Sequence, residues 1–161
     1  MRPVETIPAS IPILSILLIL SKIPLSPPCF TAGRPGLTLR PMDVINLDAQ
    51  PAFITKDSSE IRELLSHRNS AIRHQSLAEA RLPVGKATDE HYHAKTEEIY
   101  YITHGTGRMR IEAELHEVKP GDAIAIPPGK KHKLWNTGTE TLRLLCCCSP
   151  AYEHGDTFLT E

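Results

Sequence analysis

Three histidines and a pair of glutamates stand where their side chains could hold a metal ion. The stretch from His91 to Tyr101 reads HYHAKTEEIYY. On a β-strand, residues i and i+2 point to the same face, so His91 and His93 can aim both imidazoles into one interior. Neutral imidazole is the commonest protein ligand for Zn, Fe, Ni and Cu. Glu97 and Glu98 follow after the short connector AKT. Either carboxylate could join the histidines, and its hard anionic oxygen would favour Mn or Fe over a purely structural Zn. His132 follows the sharp loop Pro127-Pro128-Gly129 and opens a strand on which His132, Leu134 and Asn136 share a face. Three histidines and one carboxylate around an octahedral ion leave two positions open, which suits a chelating substrate or a substrate together with dioxygen. His67, His74, His104, His116 and His154 lack this joint spacing and read as surface or structural residues.

The elements that must position these residues are short. DSSEIRELL, Asp57–Leu65, reads as a helix: Asp57 caps it, Glu60 completes a capping box, and Ile61, Leu64 and Leu65 form one apolar side. After it come strand candidates at Ile72–Leu82, Glu98–Thr103, Gly107–Ile111, Glu114–Val118, Asp122–Ile126, His132–Asn136 and Leu142–Cys148. Turn signals separate them, at His104-Gly105-Thr106-Gly107, Pro120-Gly121, Pro127-Pro128-Gly129 and Asn136-Thr137-Gly138. Regularly spaced short strands with such punctuation predict an antiparallel sandwich or barrel.

The chain has 161 residues, 40% of them hydrophobic and 23% charged, which suits one domain with a real core. Residues 42–161 carry 14 basic and 18 acidic side chains, a balance of about −4. An acidic body without a basic stripe argues against nucleic-acid binding. No Gly-rich phosphate loop is present. Cys146, Cys147 and Cys148 are consecutive and cannot readily pair with one another, because neighbours on a strand face opposite ways. With Cys29 they read as small buried residues of a reduced protein. Residues 1–41 form a distinct N-terminal extension. Its apolar run, Ile11–Leu20, is too short for stable membrane insertion and resembles a signal-peptide core with a weak basic flank. The extension reads as disordered or as mis-called sequence upstream of Met42, which implies a cytoplasmic protein. If it acts as a signal segment, the protein is exported.

The spacing of these residues resembles two motifs of the cupin superfamily. The first, G(X)5HXH(X)3-4E(X)6G, is met by Gly85, His91, His93, Glu98 and Gly105. The second, G(X)5PXG(X)2H(X)3N, is met by Gly121, Pro127, Gly129, His132 and Asn136. Five fixed positions coincide by chance on the order of once in a million starts at average residue usage. The six residues before Gly105 select Glu98 over Glu97 within the motif. The short single-domain form is similar to the small bacterial cupins labelled mannose-6-phosphate isomerase-like. The resemblance implies an all-β fold, a single double-stranded β-helix (jelly-roll) barrel, here with a short N-terminal helix, over residues 42–161. It also implies a divalent transition metal (Mn, Fe, Ni or Zn) held by His91, His93, Glu98 and His132, and a homodimer.

Cupins include dioxygenases, decarboxylases, isomerases and non-catalytic binders, so the fold does not fix the reaction. The resemblance and the open positions point to a metal-dependent enzyme, oxygenase-like, acting on a small oxygen-rich molecule. A sugar-binding or other small-molecule module without chemistry and a phosphosugar isomerase are the alternatives. Tyr100 shares the face of Glu98 and is a candidate substrate contact. Arg110, with Arg108 on the same strand face, could clamp a carboxylate or phosphate if it faces inward, and is a solvated stripe if it faces outward. Lys130 and Lys131 could attract an anion at the barrel mouth. Trp135 alternates away from the metal-facing positions of its strand.

Overall fold

The structure, a computed structural model, describes residues 42–160. The reading of residues 1–41 as an extension falls outside that range. Eleven strands run in chain order: β1 (Phe53–Ile54), β2 (Glu60–Leu65), β3 (Ser76–Leu82), β4 (His91–His93), β5 (Glu97–His104), β6 (Gly107–Ile111), β7 (Glu114–Val118), β8 (Ala123–Ile126), β9 (His132–Asn136), β10 (Leu142–Ser149) and β11 (Thr157–Leu159). They form two antiparallel sheets, ordered β1-β2-β3-β10-β5-β8 and β11-β4-β9-β6-β7. Among the described residues no helix is long and apolar enough to cross a membrane.

Alternation along the central strands builds the interior. Glu98, Tyr100 and Ile102 of β5 are buried, while Glu97, Ile99 and Tyr101 between them are exposed. His132, Leu134 and Asn136 of β9 are buried in the same way, as are Leu142, Leu144, Cys146 and Cys148 of β10. One core results. Ala80, Leu82, Tyr100, Ile102, Ile126, Leu142, Leu144 and Cys146 come from the first sheet and meet Met109, Val118 and Leu134 from the second. Each of the fully buried leucines contributes on the order of 2 kcal/mol by leaving water. Core and site lie end to end within the same barrel. The apolar ends of β5, β9 and β10 fill one part, and His132, Glu98 and Cys148 at their other ends line the rest.

Two turns need glycine. Gly105 has φ +77°, and a Cβ there would lie 3.0 Å from both Leu142 Cα and Thr141 O. Gly129, at φ +76°, donates its N–H to His93 O and closes the loop that feeds His132 into β9. Asn136 ties the far end of that strand to its surroundings. Its Nδ2 donates to Leu82 O and Glu140 O, and its Oδ1 accepts from Gly138 N.

The short helix expected over Asp57–Leu65 is absent. Glu60–Leu65 is instead the strand β2, paired with β3 from Glu60↔Arg81 onward. Asp57, the expected cap, sits in a turn where Ser58 has φ +68°. Its Oδ1 accepts from Thr55 Oγ1 and Ser59 Oγ. Glu60 pairs with Arg62 and closes no capping box. Pairing with an existing sheet edge outweighs the weak local preference for helix. The strand expected from Ile72 begins only at Ser76.

Candidate metal centre

His91 and His93 lie on β4, His132 on the neighbouring β9, and Glu98 on β5 of the facing sheet. His91 and His132 are register partners, and their ring centroids are 4.1 Å apart. All four side chains are buried, and one ligand atom from each falls within 4.8 Å of the others. No other group of this kind occurs among the described residues.

Backbone carbonyls fix which ring nitrogen faces the centre. His91 Nδ1 lies 2.8 Å from Asp89 O, His93 Nδ1 3.3 Å from Asp156 O, and His132 Nδ1 3.0 Å from Lys130 O. A carbonyl oxygen only accepts, so in each ring Nδ1 carries the proton and Nε2 keeps its lone pair. This is the arrangement metal-binding imidazoles adopt. His93 Nε2 and His132 Nε2 stand 3.3 Å and 3.6 Å from Glu98 Oε2. Glu98 Oε2 and His132 Nε2 are nevertheless buried without a hydrogen-bond partner. Two orphaned acceptors, one anionic, facing one point are costly alone and are what a cation would satisfy. The residues present therefore fit a divalent metal.

The electrostatics of the cluster follow from burial and from its own charges. Burial, helped by the neighbouring His91, pulls the His132 pKa down to about 4, so its imidazole is neutral at physiological pH. Burial also opposes charging of His93, but the adjacent Glu98 carboxylate prevails and raises its pKa. For Glu98, burial pushes upward while His93, and then His132, pull downward and win. Cys148, the register partner of Glu98 across β10 and β5, donates its S–H to Glu98 Oε1 at 3.3 Å. Burial and the Glu98 charge push that thiol far above its ordinary range, so it stays a protonated donor.

A small cavity of about 50 Å³ adjoins the cluster, its lining including His91, His93, Glu98, Tyr100, Cys146 and Cys148. The opposite wall was missed at the sequence level. Phe53, Thr55, Asp57, Ser59, Ile61 and Glu63 all line it, with period two, because this segment is a strand–turn–strand hairpin. Its inward positions include the polar Thr55, Asp57, Ser59 and Glu63, so no apolar–polar alternation marked the segment, and DSSEIRELL reads as helix-like. Tyr100 lies in the lining, its ring 5.9 Å from that of His132. Arg110 does not share the site. It sits on the outer face of β6, pairs with Glu90, and its guanidinium lies 5.3 Å from the Trp135 ring centre. Arg108, on the same face, pairs with Glu117.

Comparison with known proteins agrees with this architecture. The cupin-domain family model matches residues 78–148. An uncharacterized protein of Methanocaldococcus jannaschii is 50% identical over 109 residues, spanning 68% of this chain and 87% of its own. A predicted oxalate decarboxylase from Thermotoga maritima superposes with a TM-score of 0.60 at 26% identity, over 66% of this chain and 98% of its own. The polyketide cyclase RemF from Streptomyces resistomycificus gives a TM-score of 0.64 at 21% identity, over 74% and 86% of the two chains; at that identity it speaks to the fold alone. With its two motifs, its facing antiparallel sheets and its buried His₃Glu cluster, the chain belongs to the cupin family.

Proposed function

We propose that this cupin is a metal-dependent enzyme that acts on a small oxygen-rich molecule, with His91, His93, Glu98 and His132 as the metal ligands. The observation that carries the reading is the pair of orphaned, buried acceptors, Glu98 Oε2 and His132 Nε2, beside the cavity lined by His91, His93 and Glu98. When bound, a divalent ion would polarise a ligated carbonyl or hydroxyl oxygen, or bind dioxygen next to it if redox-active. The chain's own residues do the rest. Backbone carbonyls lock the three imidazoles, the Cys148 thiol holds Glu98 Oε1, and Tyr100 and Leu134 shape the enclosed space. The oxygenase-like reading rests on a donor set of three imidazoles and one carboxylate, which would leave a six-coordinate ion two positions for substrate and dioxygen.

The phosphosugar isomerase alternative loses its expected phosphate clamp, because Arg108 and Arg110 are paired on the outer face. A non-catalytic binding module remains the competing class. Elemental analysis of natively purified protein, with oxygen uptake measured over small diketones, hydroxyketones and acids, separates the two. The enzyme reading expects one metal per site and turnover on at least one compound. Protein carrying stoichiometric redox-inert metal with no turnover overturns it. We also propose a homodimer built on the outer face of the first sheet, where Ile99 and Tyr101 are exposed beside Leu145 and Cys147 on β10 and Ala123 and Ala125 on β8.

A further inference from the structure

We infer that the cavity selects a neutral, hydroxyl-bearing molecule over a dianion of equal size, and that Asp57 is the residue that reads the charge. The inference rests on the metal-centre reading and narrows its substrate class. Among the described residues, neither lysine nor arginine lines the cavity. Recognition of a carboxylate or phosphate ordinarily uses such a cation. The cations nearby are turned elsewhere: Arg110 pairs with Glu90 outside, and Arg68 holds Glu63 from behind.

Asp57 is the exception on this wall. It is 7% exposed. The donors to its Oδ1 are neutral: the Thr55 and Ser59 hydroxyls and, at 3.4 Å, the Ser59 N–H. Glu63, by contrast, is compensated by Arg68 and Ser66. His91, His93, Glu98 and Asp57 line one and the same cavity, so a molecule held at the cluster shares its space with Asp57. A metal would offset the carboxylate that ligates it, but a second carboxylate beside Asp57 meets like-charge repulsion, because neither lysine nor arginine lines the cavity to offset it. A hydroxyl at the same place donates to an acceptor that is already held in position by its turn. The inner wall therefore suits a hydroxyketone, enol or polyol fragment that chelates through vicinal oxygens at one end and donates a hydroxyl at the other.

The test uses Mn²⁺-loaded protein and two ¹³C-labelled probes with the same number of heavy atoms, dihydroxyacetone and oxalate. Paramagnetic relaxation of each probe gives its affinity, and metal content is checked in the same samples. Asp57→Asn removes the charge and keeps the shape; Asp57→Ser serves if the amide disturbs the turn, with circular dichroism confirming the fold. We expect the variant to bind dihydroxyacetone about tenfold more weakly and oxalate about tenfold more tightly than the wild type. Failure of dihydroxyacetone to reach the Mn²⁺ in the wild type, or affinities for both probes that the variants leave unchanged, overturns the inference while the metal-enzyme reading stands. If dihydroxyacetone binding measured by titration calorimetry is the same in metal-free and Mn²⁺-loaded protein, the metal-centre reading fails and the inference falls with it.

Discussion

The two oxygens of Glu98 have different surroundings, and the difference predicts behaviour. Oε1 accepts from Cys148 and Oε2 has no donor. Cys148 holds Glu98 in one orientation and would act on a bound metal only through it. Replacing Cys148 with Ala lowers metal affinity about tenfold, the usual effect of losing an outer hydrogen bond to a ligand, whereas Cys148→Ser, which keeps a donor, retains most of it. Competition with a chromophoric chelator measures both. His93→Ala removes a ligand outright and yields protein without stoichiometric metal, read by elemental analysis. The four residues of the cluster were legible in the sequence because strand geometry places i and i+2 together and because the motif glycines set the loop lengths. Cys148 was not, since its role exists only through the Cys148↔Glu98 register of β10 against β5. Alternation did indicate that Cys146 and Cys148 share a face that Cys147 does not.

At the scale of elements, the pairing of β2, β3 and β10 carries a buried charge. Glu79 on β3 is almost fully buried and accepts from Arg81 and Arg143. Burial pushes its pKa upward, but Arg143 and then Arg81 outweigh it, so the folded value lies below the ordinary glutamate value. The unfolded chain then binds a proton at higher pH than the folded one. The stability this group contributes is present above the ordinary glutamate value and is lost as pH falls through the folded value. Glu79→Gln costs about 2 kcal/mol near neutral pH and flattens the acid limb of the stability curve, measured by urea unfolding from neutral pH down into the acid range. Gly105→Ala places a Cβ against the β10 backbone at positive φ and destabilises by about 2 kcal/mol, seen as a Tm lower by several degrees. The β5–β6 turn was readable from its glycines. The β1–β2 hairpin was not, because DSSEIRELL satisfies helix capping and amphipathicity locally, and only the free edge of β3 decides otherwise.

Over the whole molecule, the outer face of the first sheet exposes contiguous apolar side chains. Ile99 is 48% exposed and Tyr101 42%, and each is flanked across the strands by Ala, Leu or Cys. Such patches commonly mark association surfaces. Light scattering on eluting protein is expected to give twice the chain mass. Ile99→Lys combined with Tyr101→Lys is expected to give a monomer that keeps its metal, because both side chains point away from the cavity. A wild-type protein that elutes as a monomer rules the dimer out.

The sequence by itself indicated short antiparallel strands, their turns and, through the resemblance to the two cupin motifs, a single barrel with four residues spaced to converge. Each depends on short-range rules: strand alternation, glycine at positive φ, proline at strand ends and fixed loop lengths. Only the tertiary structure decided that Arg110 faces outward to Glu90, that Cys148 braces Glu98, and that the hairpin from Phe53 to Glu63 walls the cavity with Asp57. These are consequences of which strands become neighbours and which edge is left to be covered. That choice is made by burial across the two sheets, and residues far apart in the chain carry no local sign of it.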